Sequence, residues 1–326
     1  MLYINNDNTN PYFNLATEEY ILKNFTDNCF MLWKNEPCII VGKNQNTLSE
    51  INYDYVKENK IPVVRRLSGG GAVFHDLGNI NFTFISNNDS ESFLNFRKFT
   101  QPIIDVLQKL EVKAEFSGRN DLIIDGKKFS GNAQYNYKNR ILHHGTLLFS
   151  SNMTDLSASL KVKPSKFQGK SVQSVVSRVT NISEHLKKPL SILKFKELVM
   201  IHIMEVYENG TAYDFTSKDL ENIAQMVKEK YDTWEWNFGS SPNYSFSKEK
   251  RFEGGSMEFN LEVEKGIIKN IKLYGDFFGK CDVLEIENSL IGIKHTEAAI
   301  KIALSNFDLS NYFLNISEMQ LLEGLL

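Results

Sequence analysis

The sequence predicts an α+β fold in two parts. A large domain of mixed, mainly antiparallel sheets flanked by helices precedes a small C-terminal α+β domain. Three observations carry this reading. Leu122-Ile123-Ile124 and Lys127-Lys128-Phe129 flank Asp125-Gly126, the two-residue signal of a type I′ hairpin. Met257, Phe259, Leu261 and Val263 alternate with Glu258, Asn260, Glu262 and Glu264, the pattern of a strand with one wet face. Ile103, Val106, Leu107 and Leu110 recur at helical spacing. A chain of 326 residues exceeds the usual size of one hydrophobic core. The turn-rich stretch Asn237-Phe238-Gly239-Ser240-Ser241-Pro242-Asn243 divides it into 1–243 and 244–326.

The remaining elements follow in chain order. Phe13, Ala16 and Tyr20 predict a helix over about 14–25 with Asn14 as its N-cap. Met31-Leu32-Trp33 and Cys38-Ile39-Ile40-Val41-Gly42 read as two strands around the turn Asn35-Glu36-Pro37. Leu48, Ile51 and Tyr55 mark a helix over 47–59, and Pro62-Val63-Val64 a short buried strand. Asn81 to Ile85 and Leu142 to Phe149 are further strands, and Pro102 is placed at the start of the helix through Leu110. Helices follow through Ile192–Val206 and, behind Thr216 or Ser217, through Leu220, Ile223 and Val227. Lys265-Gly266 turns the alternating strand into a second, through Ile267, Ile271 and Leu273. Helices near 296–304 and 316–325 close the chain.

Composition narrows the function classes. A net charge of −3 lacks the basic bias of a nucleic-acid binder. No apolar run approaches the roughly 20 residues of a membrane span. The N-terminus has neither the basic nor the apolar segment of a signal peptide. Cys29, Cys38 and Cys281 form no close pair, as expected of a cytoplasmic, reduced protein.

The most informative stretch is Arg65-Arg66-Leu67-Ser68-Gly69-Gly70-Gly71-Ala72-Val73-Phe74-His75. Three successive glycines are entropically costly, and suit backbone that approaches a ligand closely or takes positive φ. Two arginines beside exposed N–H groups suit an anion cradle, and spacing alone leaves a tight turn with solvated arginines open. The chain has neither a GxxxxGK[ST] nor a GxGxxG run, so neither familiar nucleotide loop applies.

Arg65 to Asn79 resembles the signature of the lipoate–protein ligases, members of the biotin/lipoate ligase superfamily, of the bacterial type with an accessory C-terminal domain. The resemblance extends to Ser117-Gly118-Arg119-Asn120-Asp121-Leu122, His143-His144-Gly145-Thr146, Lys170 to Asn181, Arg251 to Gly255 and Tyr274 to Phe278. It implies ATP contacts from Arg66, Gly71, Ala72, Val73 and Phe74, and a lipoyl group along Ser68, Gly69 and Gly70. Lys127 and Lys128 point to opposite faces of a strand, and spacing leaves both open as the cation that adenylation needs. The family pattern of lysine, apolar, small, glycine selects Lys128-Phe129-Ser130-Gly131, making Lys128 the catalytic residue. Asp121 is then expected near the ribose or a magnesium ion, with Ser174 and Arg178 in an adenylate-binding loop.

The implied activity uses ATP and Mg2+ to convert lipoate to lipoyl-AMP. The lipoyl group then passes to a lysine of lipoyl domains in the glycine cleavage H protein and 2-oxoacid dehydrogenase acyltransferase subunits. No nucleic-acid or membrane partner is expected, and the protein is expected to be a monomer. An apolar tunnel near Leu32, Val41, Phe74 and Phe84 would take the tail. The adjacent histidines share no face, so a joint metal site is not expected. Where some ligases carry an arginine beyond the SGxA segment, this chain has Gln134 and Tyr135. An octanoyltransferase would need a cysteine near these loops, and none lies between Cys38 and Cys281. A transferase restricted to ready-made lipoyl-AMP, or a non-catalytic lipoate-binding protein, would share the loops.

Overall fold

The computed structural model describes residues 1–45, 47–87, 94–160, 178–238, 246–264 and 267–326. Its strands are β1 (Leu2–Asn5), β2 (Cys29–Trp33), β3 (Cys38–Val41), β4 (Val63–Arg65), β5 (Val73–His75), β6 (Asn79–Asn87) and β7 (Ala114–Ser117). β8 (Asp121–Ile124), β9 (Lys127–Tyr137), β10 (Arg140–Leu148), β11 (Thr211–Tyr213), β12 (Phe246–Phe252), β13 (Gly255–Glu264) and β14 (Ile267–Gly275) follow.

A large sheet runs in the order β11-β1-β2-β6-β10-β9-β8-β7. Only the β1 pairings with β11 and β2 are parallel, so the sheet is mixed and mainly antiparallel. Phe30, Phe82, Phe84 and Phe129 from this sheet pack with Ile103 and Leu107 of the helix Phe96–Lys109 and with Phe195 of the helix Ile192–Val206. A second sheet, β4-β3-β5, packs Ile39, Val41 and Phe74 against Leu156. The third, β12-β13-β14, has its own core with Leu290, Ile300 and Leu321 from three C-terminal helices.

Several elements begin elsewhere than the sequence suggested. The first helix spans Pro11–Asn24 and is capped by Asn10, whose Oδ1 accepts from the N–H groups of Tyr12 and Phe13. Asn14 is inside it and buried, donating to the carbonyls of Asn8 and Lys34. Pro102 does not open its helix but lies within Phe96–Lys109, behind the cap Asn95. The 47–59 helix is two short ones, Thr47–Glu50 and Tyr53–Glu58. The Asp125-Gly126 turn has both residues at positive φ, 49° and 76°, as a type I′ hairpin requires. The 243/244 boundary and the Lys265-Gly266 turn lie outside the described residues.

Candidate functional site

A cleft of about 620 Å³, counted to its open mouth, lies between the glycine run, β9 and β10. Arg66, Gly70, Gly71, Ala72 and Val73 form one wall; Lys128, Gly131, Asn132 and Ala133 form another. Leu15, Trp33, Ile40, His75, Asn81, Asn120, His144, Gly145 and Thr146 complete it.

Lys128 faces this cleft because the strand carrying it is irregular. Ile123 pairs with Lys128, but Leu122 pairs with Ser130, so Phe129 is an extra residue in the ladder. Strict alternation would set Lys128 and Gly131 on opposite faces; one bulged residue brings them together. Phe129 turns into the core instead. A Cβ at position 131 would lie 2.8 Å from Lys128 Nζ, so glycine leaves the space that the ammonium occupies. Asp121 Oδ1 holds the ammonium at 2.8 Å, and both side chains are a little over one-third exposed. The strand segment after residue 177 also attaches here: Val179 bridges Lys128 in parallel, and the Thr180 N–H donates to the Lys128 carbonyl at 3.0 Å.

The two arginines do different work from a bare anion cradle. Arg65 donates to the carbonyls of Gly42, Lys43, Gln45, Trp236 and Asn237, tying the 42–47 segment to 236–237. Arg66 donates to Ser68 Oγ, to the carbonyls of Gly69 and Gly71 at 2.7 and 2.8 Å, and to Ile40. Burial lowers both guanidinium pKa values to about 10, yet each remains charged at neutral pH. Arg66 thus lines the cleft while its donors fix the glycine run from inside. Gly70 sits at φ 95°, and a Cβ there would be 2.9 Å from the Arg66 guanidinium. A Cβ at Gly69 would lie 2.5 Å from the carbonyl oxygen of Phe277. Part of the glycine requirement therefore comes from the protein's own packing.

Behind the loop runs a buried polar chain. His144 Nε2 is 2.6 Å from Ser68 Oγ, and His144 Nδ1 is 3.0 Å from the Glu18 carboxylate. Glu18 also accepts from Thr83, which accepts from the Trp33 indole N–H. His143 faces the other way, stacked on Phe99. The C-terminal unit closes over the same loop. Arg119 lies 4.1 Å from the Phe278 ring centroid and donates to the carbonyls of Gly254 and Asp276. Lys43 pairs with Asp282 at 3.0 Å.

Of the residues expected to act, Arg66, Gly70, Gly71, Ala72, Val73 and Lys128 line the cleft together. Asp121 reaches it through Lys128. Ser68 is buried on His144, Gly69 packs on Phe277, and Phe74 belongs to the β3–β5 core. Arg178 adjoins the Val179 bridge, and Ser174 lies outside the described residues. The tunnel expectation is corrected: Leu32, Val41, Phe74 and Phe84 are core residues, and their neighbours Trp33, Ile40 and Val73 line the cleft. β2 and β3 are buried on both faces, so composition carries no phase for the alternation. His75 and His144 stand in segments that carry the resemblance but were given no site role, while Glu18 and Asn81 are new to the site; for Asn81 the available signal is two asparagines within the apolar strand Asn79-Ile80-Asn81-Phe82. Among the described residues no group of three His, Cys, Asp or Glu side chains could hold a metal ion, and no helix is long and apolar enough to cross a membrane.

Residues 10–204 match the lipoyl protein ligase A/B catalytic domain, and residues 241–325 match the bacterial lipoate protein ligase C-terminus. The chain is 48% identical to the lipoate-protein ligase LplJ of Bacillus subtilis, over 99% of both. It superposes on the crystal structure of P. falciparum LipL1 in complex with lipoate with a TM-score of 0.82 at 26% identity, over 99% of each chain. A lipoate-protein ligase A bound with ATP matches 73% of this chain and 98% of its own, with a TM-score of 0.65 at 26% identity.

Proposed function

The chain belongs to the lipoyl protein ligase A/B family, and from that premise we propose how its cleft works as a lipoate–protein ligase. The enzyme activates lipoate with ATP to lipoyl-AMP, then transfers the lipoyl group to a lysine of an acceptor domain. One observation carries the assignment of the site: a lysine ammonium, held by a carboxylate at 2.8 Å, lines one cleft together with the glycine run and the apolar side chains of Leu15, Trp33, Ile40 and Val73.

The lipoyl tail lies inward, past Ala72 and Val73 toward Ile40, Trp33 and Leu15. Its carboxylate then meets Lys128. The carboxylate oxygen attacks the α-phosphorus of ATP, and pyrophosphate leaves. Two anions must approach, and charge gathers on the phosphoryl oxygens; a preorganised ammonium offsets both. Asp121 orients that ammonium without burying it. The N–H groups of Gly71 to Val73 serve the phosphates, and Ser174 and Arg178 serve the adenylate. In the second step the acceptor amine attacks the acyl carbon and AMP leaves. Positioning supplies the rate in both steps, and no enzyme side chain is acylated.

Magnesium would ride on the triphosphate and offset its charge, with the Asp121 carboxylate, beside Lys128, as the residue that would offer it a hard oxygen donor. The acceptors are the glycine cleavage H protein and 2-oxoacid dehydrogenase acyltransferase subunits. The enzyme acts as a cytoplasmic monomer whose catalytic domain spans 1–243 and accessory domain 244–326. The octanoyltransferase alternative needs a reactive thiol; Cys29 and Cys38 are buried, and burial pushes both thiols up, Cys29 to about 12. Lys128→Ala tests the assignment. Lipoate-dependent ATP–pyrophosphate exchange should fall at least a hundred-fold; activity within a few-fold of the parent would remove Lys128 from the chemistry.

A further inference from the structure

Two buried N–H donors on the cleft wall have no hydrogen-bond partner among the described residues: His75 Nε2 and Asn81 Nδ2. Both side chains are at least 95% buried. Unsatisfied buried donors are uncommon in folded proteins and need a reason.

A relay of amides fixes which His75 nitrogen carries the proton. Asn14 Nδ2 donates to two backbone carbonyls, which can only accept, so its orientation is set. Asn35 Oδ1 lies 2.9 Å from the same NH2 and shares one of its two hydrogens with a carbonyl. Asn35 must therefore present its NH2 to His75 Nδ1, at 3.1 Å. With Nδ1 accepting, the hydrogen of the neutral ring sits on Nε2. Burial, with Arg66 and His144 nearby, keeps the ring neutral. Asn81 meets Asn79 amide to amide, its Oδ1 2.9 Å from Asn79 Nδ2, and in that arrangement its own Nδ2 is left for the cleft. Trp33 stands across the strand pair from Asn81 and packs edge-on to His75, centroids 6.2 Å apart. Its own N–H is already bonded to Thr83. The inner cleft is thus apolar in shape but carries two directed donors.

The substrate acid needs only its carboxylate for activation, and a plain alkyl tail offers no acceptor. A dithiolane ring offers two sulfurs, which are weak acceptors. We propose that His75 Nε2 and Asn81 Nδ2 are specificity-determining donors that read the ring sulfurs, separating lipoate from an all-carbon acid of the same shape. This rests on the reading that the cleft holds the lipoyl tail.

The test compares lipoate with 5-cyclopentylpentanoate, in which methylenes replace both sulfurs, in acid-dependent ATP–pyrophosphate exchange. Two weak hydrogen bonds predict that kcat/KM favours lipoate by about five- to thirty-fold. In His75→Leu and Asn81→Leu the loss should fall on lipoate, shrinking the ratio in each. In His75→Gln, which can still direct an N–H into the cleft, the ratio should largely persist. A parent ratio within two-fold, or an unchanged ratio in either leucine variant, overturns the proposal. If a leucine variant activates neither acid, the parent ratio and His75→Gln decide. If the parent activates neither acid, the ligase reading itself has failed.

Discussion

Replacing Arg66 with Lys separates two roles that the sequence alone merges. A lysine keeps the positive charge, so a residue that merely attracts phosphate would tolerate it. In the structure, however, one guanidinium nitrogen bridges the carbonyls of Gly69 and Gly71, at 2.7 and 2.8 Å, while the others reach Ser68 and Ile40. A single ammonium cannot span those positions. Losing one or two bonds to a charged donor, at about 1.5–3 kcal/mol each, gives roughly 1.5–6 kcal/mol against the ordered loop. The loss is local, so it should appear as loop opening more than as global unfolding. Borne by the active conformation, it corresponds to a fall in exchange rate of about ten-fold or more. Amide hydrogen exchange over 67–73 should accelerate in parallel. A variant with activity within three-fold of the parent and unchanged protection would refute the clamp.

Other perturbations follow from the same geometry. Burial holds the His75 pKa down to about 3 and His143 well below the usual histidine range. Below about pH 6.5 the unfolded chain takes up protons at these rings and the native one does not, so stability falls as pH falls. From pH 7.5 to 5.5 the two should cost about 2.5–3 kcal/mol, read by urea unfolding at each pH; a flat profile would contradict the neutral rings. Gly70→Ala forces a side chain to φ 95° beside the Arg66 guanidinium. It should cost about 1–2 kcal/mol of backbone strain and lower exchange about ten-fold; parental kinetics would show that the loop does not need this conformation.

Much of the framework was legible because its signals are local. Asp125-Gly126 named its own turn, and the alternation from Met257 to Val263 named its strand. The glycine run marked unusual backbone before any partner was known. What stayed hidden depended on long-range pairing. Short strands such as Leu2–Asn5 and Thr211–Tyr213 exist because they pair with each other across two hundred residues. The Glu18–His144 contact joins residues 126 apart. The bulge at Phe129 sets the direction of Lys128, and no local propensity announces it. The tunnel phase slipped by one residue at Leu32, Val41 and Phe74, because both faces of those strands are apolar and buried.

What most needs measuring is whether the cleft makes an acyl adenylate or merely accepts one. ATP–pyrophosphate exchange by the full chain, with and without lipoate, measures that step apart from transfer to any acceptor. The expected result is exchange that requires lipoate. Transfer from preformed lipoyl-AMP with no lipoate-dependent exchange would contradict it.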